Sequence, residues 1–307
     1  PPTPEVAAVM GHYGIGLREV IVHEDDAGRV AAHAEGHAVR LVRTAARRYT
    51  AVGGPAWLGT ALHFLPDSGQ AHLLVAGDRT FVRRATGPAE NDVFRIQPVR
   101  PVAEILRAAR ATPSPFGDPR STDLVNLRQV IPRLVLDVRY ATPNNFMGTP
   151  VYTRAAAFLH RDAAHALARV QRDLAADGLG LIVYDGYRPW YVTKAFWDAT
   201  PPAQRGFVAP PSDGSRHNRG GAVDLGLVSL QTGQVIEMPS EYDEFTARAS
   251  PQYPGGSRRA RYYRALLRET MARHGFAVNP TEWWHFDYRD WPRYPVLNLS
   301  FEALDRP

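Results

Sequence analysis

The stretch Ser215-Arg216-His217-Asn218-Arg219-Gly220-Gly221-Ala222-Val223-Asp224 runs straight into Leu225-Gly226-Leu227-Val228. The apolar run reads as a strand that continues from a loop. His217 and Asp224 stand seven residues apart, on either side of two glycines, too far for one helix face. A loop that bends tightly at the glycines and enters the strand is what brings them together. Far downstream, Glu282-Trp283-Trp284-His285 adds a second His and a further carboxylate. Two His and one carboxylate around an open position form the donor set of a hydrolytic zinc site. A free Glu beside them can serve as base. One Zn2+ per chain, held by His217, Asp224 and His285, with Glu282 as the base, is therefore expected.

Each motif alone has a plainer reading. The first fits a loop with a hydrogen-bonded His, and the second an aromatic core strand with a buried ion pair. A third motif, Tyr184-Asp185-Gly186-Tyr187-Arg188-Pro189, makes coincidence a poor account of all three. Arg188 follows an apolar strand and precedes a proline, so it is held in place. Its guanidinium could polarise a scissile carbonyl or stabilise the oxyanion as it forms. Otherwise it would pair with a core carboxylate.

Composition excludes several other functions. Thirty-six basic against thirty-one acidic residues leave a net charge of +5, with no run dense enough to track phosphates, so nucleic acid is not expected as a partner. Arg258-Arg259-Ala260-Arg261 is the densest cluster and is expected to be a solvated helix face. The absence of cysteine removes disulfides, thiolate zinc sites and cysteine nucleophiles. No apolar run reaches the length of a membrane span. The chain begins Pro1-Pro2-Thr3-Pro4 without Met, as a processed or truncated product would. An exported location, in the periplasm or cell envelope, is the expectation, with the cytoplasm as the alternative.

Two textures divide the chain. Residues 1–96 carry short strand-like runs, including 17–23, 29–34, 39–43, 60–65 and 71–76, with turn signals every ten or so residues. They predict a small all-β domain, either a barrel or a sandwich. Six of the eleven His fall here, at strand-edge or surface positions rather than in a second metal site. Residues 97–119 contain a short helical run and then three prolines in eight residues, which mark a connector. Residues 120–307 mix strands such as 134–140 and 179–184 with helices predicted over 155–176, 190–199 and 258–274. This half is α+β, with helices packed on a mainly antiparallel sheet.

Taken together, D-G-Y-R-P, S-x-H-x-x-G-x-A-x-D and E-W-W-H-F resemble the D-alanyl-D-alanine dipeptidases of the vancomycin-resistance type. These are zinc metallopeptidases related to the D,D-carboxypeptidases and the Hedgehog signalling domain. The resemblance runs from about Asp123 to the C-terminus, and the segment Tyr140-Ala141-Thr142-Pro143-Asn144-Asn145-Phe146 belongs to it. It implies zinc ligands His217, Asp224 and His285, a catalytic Glu282, and Arg188 as transition-state stabiliser. It also implies Ser215 as a substrate contact, Asp243 as the receptor of the dipeptide's ammonium, and Tyr140 as a pocket-lining residue. The reaction it implies is hydrolysis of D-Ala-D-Ala by a metal-activated water. The first domain is similar in strand rhythm to the lipocalin-like domain of some envelope serine hydrolases, and could bind cell-wall polymer. The loop 249–257 is shorter than its counterpart in the resistance enzymes, which bears on substrate range. A D,D- or L,D-carboxypeptidase acting on peptidoglycan stem peptides is the nearest rival, and a non-catalytic envelope-binding protein the more distant one.

Overall fold

The computed structural model describes residues 1–14, 18–85, 93–117 and 123–305. Eight antiparallel strands form the first unit: β1 (Gly11–Tyr13), β2 (Val20–Glu24), β3 (Val30–Ala34), β4 (His37–Ala45), β5 (Arg48–Val52), β6 (Ala61–Leu65), β7 (Leu73–Ala76) and β8 (Arg79–Arg84). Each pairs with the next, and β1 also pairs with β8, so the sheet closes into a barrel. That closing pair leaves no free edge, which decides between barrel and sandwich. Residue 17, the start of the first expected strand, lies outside the described residues.

Alternation fills the barrel. Val39 and Leu41 of β4 and Leu62 and Phe64 of β6 are buried, while their neighbours along the strands are more exposed. A short helix, α1 (Pro4–Val9), adds Val6 and Val9 to the same core. Two of the histidines depart from the expected surface role. His12 and His23 are buried, His12 between Glu19 and Tyr253 (2.8 and 2.7 Å) and His23 against His33 (3.0 Å). Among the described residues, the one three-ligand cluster lies elsewhere.

The second unit contains α2 (Val102–Ala111), β9 (Leu124–Asn126), α3 (Leu127–Val130), β10 (Val135–Leu136), β11 (Phe158–His160), α4 (Arg161–Ala176), β12 (Leu179–Asp185), α5 (Trp190–Ala199), β13 (Ala222–Ser229), α6 (Arg258–Arg273), β14 (Phe276–Asn279) and β15 (Glu282–Tyr288). Its main sheet has the order β10-β12-β13-β15-β14, and only β10 and β12 run parallel. Helices α4 and α6 touch each other and pack on β12 and β14. The expected α+β architecture is thus present. Every residue of β12 is buried, as is β13 up to its last residue, so polar groups on these strands must find partners inside the protein.

Four expectations change. Helix α4 starts at Arg161 rather than 155, because Phe158–His160 pairs with Leu124–Asn126 instead. Residues 155–159 are apolar throughout, which fits a helix or a buried strand alike, and the long-range partner decides. The predicted strand 134–140 shortens to two residues and continues as a 3-10 turn over Arg139–Ala141. The segment expected to be a connector carries α2, whose Ile105, Leu106 and Ala109 are buried in the main core against α5. Residues 118–122, where connector and second domain were expected to meet, lie outside the described residues. The basic cluster is solvated at Arg258 and Arg259, as expected, but it is also a contact surface. The Arg258 backbone N–H donates to Glu24 Oε2 (2.7 Å), its guanidinium to the Asp26 carbonyl (2.7 Å), and Arg261 to the Glu24 carbonyl. The start of α6 therefore grips the barrel turn between β2 and β3. Among the described residues no helix is long and apolar enough to cross a membrane.

Candidate active site

Three adjacent strands align the site. In the ladder, Asp185 of β12 faces Asp224 of β13, and Asp224 faces His285 of β15. The fourth group comes from the turn before β13. Arg216–Arg219 forms a 3-10 helix capped by Ser215, whose Oγ accepts from the His217 N–H (3.2 Å) while its own N–H donates to Asn218 Oδ1 (2.6 Å). Gly220 closes this turn at φ +62°, and a Cβ there would meet Leu124 at 2.3 Å and the His160 nitrogen at 2.9 Å. Only glycine fits both demands. The bend delivers His217 beside Asp224.

The donors converge closely. His217 Nε2 lies 3.0 Å from His285 Nδ1 and 3.3 Å from Asp224 Oδ1, and His285 Nδ1 lies 3.1 Å from the same oxygen. All three residues are buried. The opposite ring nitrogens are already engaged: His217 Nδ1 with the Gly186 carbonyl (2.7 Å) and His285 Nε2 with Asp287 Oδ1 (2.9 Å). Both outer partners are acceptors, so each ring turns its lone pair inward. Asp224 Oδ2 accepts from the Tyr242 hydroxyl (3.0 Å), whereas Oδ1 is buried without a hydrogen-bond partner. Three lone pairs that face one another call for a cation. Tetrahedral zinc with ligands at about 2.0–2.1 Å needs donors roughly 3.3–3.4 Å apart, close to what is found.

Electrostatics point the same way. Burial alone would lower His285, but Asp224 and Asp287 outweigh it and push the ring up to about 10. Burial would raise Asp224, but His217 and His285 hold its carboxylate well below the usual range. The cluster favours positive charge at its centre, whether a proton or a metal ion.

Glu282 stands beside it, with Oε2 3.7 Å from His285 Nδ1 and its side chain 14% exposed. A regular strand would turn residues 282 and 285 to opposite faces. Here the β14–β15 ladder slips: Val278 pairs with Phe286, but Asn279 pairs with Glu282. Three extra residues bulge on β15 and bring Glu282 round to the cluster. Burial pushes its carboxyl up to about 7, against the pull of His285.

Arg188 approaches from the end of β12. Its Nε and Nη2 both bind Asp185 Oδ2 (3.0 and 2.8 Å), and its guanidinium lies over the rings of Tyr140 and Phe196. The other oxygen of Asp185 accepts from the Tyr152 hydroxyl (2.8 Å) and the Gly186 N–H (2.9 Å). Nη2 also reaches within 3.8 Å of Asp224 Oδ2. Arg188 is therefore aimed rather than mobile. We expect Asp185→Asn to lower stability by about 3 kcal/mol, the low end for a broken buried pair. It should also reduce kcat roughly 10-fold, with KM and bound metal little changed. Thermal melts, metal analysis and steady-state kinetics would show this, and an unaltered kcat would remove Asp185 from the machinery.

Tyr140, Asp243 and Ser215 also line the cleft, which encloses about 490 Å³. Tyr140 donates to Asp243 Oδ2 (2.6 Å), so two of them are bonded to each other. Asp243 takes φ +57°, a left-handed conformation that is strained for aspartate. That twist lets consecutive side chains both serve the site, Tyr242 on Asp224 and Asp243 on Tyr140. Burial and the Asp224 charge push the Asp243 carboxyl well up, a state that a cationic partner would relieve. Ser215 lines the cleft as well as capping the turn. Sequence reasoning assigned no role to Asp185, Tyr242 or Asp287. Asp185 stands inside a motif that was singled out, whereas Tyr242 and Asp287 become visible only through strand register and loop packing.

A family profile described as D-Ala-D-Ala dipeptidase, Peptidase_M15, matches residues 120–303. The chain belongs to this metallopeptidase family. Among its relatives, the D-alanyl-D-alanine dipeptidase of Escherichia coli (strain K12) is 34% identical over 187 residues, covering 61% of this chain and 95% of its own. That of Enterococcus faecium is 32% identical, covering 57% and 95%. The Streptomyces coelicolor protein of the same name is 30% identical, covering 58% and 97%. The barrel falls outside the family match.

Proposed function

We propose that this metallopeptidase hydrolyses free D-alanyl-D-alanine. The observation that carries the reading is the buried His217–Asp224–His285 cluster, with Glu282 and Arg188 against it and an unsolvated Asp243 in the same cleft. The relatives' names support the substrate. Zinc would be held by His217 Nε2, Asp224 Oδ1 and His285 Nδ1, and when bound it would supply a Lewis acid that polarises carbonyl and water.

The chain's own groups do the rest. Asp243, steadied by Tyr140, receives the substrate ammonium and so sets the amino end of the dipeptide. Arg188 presents N–H groups to the oxyanion that develops on the scissile carbonyl. Glu282 takes a proton from the attacking water and delivers it to the leaving amine nitrogen. Ser215 borders the cleft beside His217. The comparisons lend no support to polymer binding by the barrel.

The test sets free D-Ala-D-Ala against a muropeptide that ends in a pentapeptide stem. Hydrolysis of the dipeptide with little action on the stem is expected. Release of D-alanine from the stem alone would favour the carboxypeptidase reading instead.

A further inference from the structure

The dipeptide reading leaves one end of the substrate without a partner. A free dipeptide is a zwitterion, and Asp243 accounts only for its ammonium. The cleft is lined by three guanidinium groups, those of Arg188, Arg216 and Arg219. Arg188 is committed to Asp185 and lies against the Tyr140 and Phe196 rings, with 11% of its side chain exposed. Arg219 donates to the Tyr294 carbonyl (2.5 Å).

Arg216 differs from both. Its side chain is 43% exposed. One nitrogen, Nη1, pairs with Asp287 Oδ2 at 3.0 Å, and the guanidinium lies 5.0 Å from the centre of the Trp291 ring. Among the described residues its other N–H groups have no protein acceptor. Its backbone belongs to the capped turn that also carries His217, so the guanidinium is oriented at both ends. Arg216 reaches the metal cluster through Asp287 and His285, whereas Asp243 reaches it through Tyr140, whose ring lies beneath Arg188. The two opposite charges thus line one cleft and connect to the cluster through different residues, as the two ends of a zwitterion require.

We propose that Arg216 receives the substrate's terminal carboxylate and so makes the enzyme read a free C-terminus. This rests on the dipeptide reading above.

The experiment compares D-Ala-D-Ala with D-Ala-D-alaninamide, which lacks the negative charge, in the zinc-loaded wild type, Arg216→Gln and Arg219→Gln. The wild type should prefer the acid by about 10- to 100-fold in kcat/KM, the scale of one charge-assisted contact. Arg216→Gln should lose most of that preference, mainly through KM for the acid, with zinc content and amide turnover little changed. Because the acid-to-amide ratio is taken within each variant, a general effect on the metal through Asp287 cancels. No wild-type preference, an undiminished preference in Arg216→Gln, or a collapse in Arg219→Gln alone would each overturn the assignment. A wild type that hydrolyses neither compound would overturn the dipeptide reading itself, and this inference with it.

Discussion

Replacing Glu282 by glutamine is expected to lower kcat for D-Ala-D-Ala by about 10²- to 10⁴-fold, the usual contribution of a positioned general base. Glutamine keeps the shape of the side chain and the contact with Asn279, 3.3 Å from Glu282 Oε2. Bound metal and melting temperature should therefore change little, and the loss should appear in kcat more than in KM. The pH profile gives a second readout. As the proposed base Glu282 would work as a carboxylate, and burial pushes it up to about 7. Activity should then rise with pH through an acid limb and disappear below it. A divalent cation in the cluster pulls that value down, so the limb of the loaded enzyme falls at or below pH 7. Full activity in Glu282→Gln with native metal content would eliminate this residue as base.

Metal removal is expected to have the largest effect of all. Chelation should reduce hydrolysis to background, and stoichiometric zinc should restore it. The reason is visible in the donor geometry, where no single proton satisfies all three inward-facing atoms, and Asp224 Oδ1, 3.1 and 3.3 Å from the two rings, makes no hydrogen bond. Without the cation, His285 is held protonated, up to about 10, by Asp224 and Asp287. Protons and zinc therefore compete, and zinc affinity should fall as pH falls. Binding should also stabilise the fold, since the ligands are preorganised only in the native state. Zinc titration followed by thermal melts at several pH values would measure both. An enzyme indifferent to chelators, with no zinc-dependent melt, would end the metal reading.

Much of the site was legible locally. Gly220-Gly221 between His217 and Asp224 announced a tight bend into a strand, and that bend leads into β13, the central strand of the sheet. Arg188 before Pro189 announced a fixed guanidinium, and it is fixed by Asp185. The side on which Glu282 lies was not legible, because strand alternation forbids what a three-residue slip in the β14–β15 ladder allows. Nor was the burial of α2 or the role of Arg258 and Arg261. An amphipathic helix beside prolines looks like a connector until the face it packs on is known, and basic residues look solvated until Glu24 and Asp26 are brought to them.

The donor types, the turn that joins two of them, the all-β and α+β textures and the family were all readable from the chain alone. All of these are set by residues close together in the chain, through φ preferences, periodicity and side-chain chemistry. The tertiary structure decided what depends on distant residues meeting. Strand register lined up Asp185, Asp224 and His285, a bulge turned Glu282 inward, and Tyr242 and Asp287 were brought to Asp224 and His285. His217 and His285, 68 residues apart in the chain, come within 3.0 Å of each other only when the sheet assembles, and no local pattern encodes that.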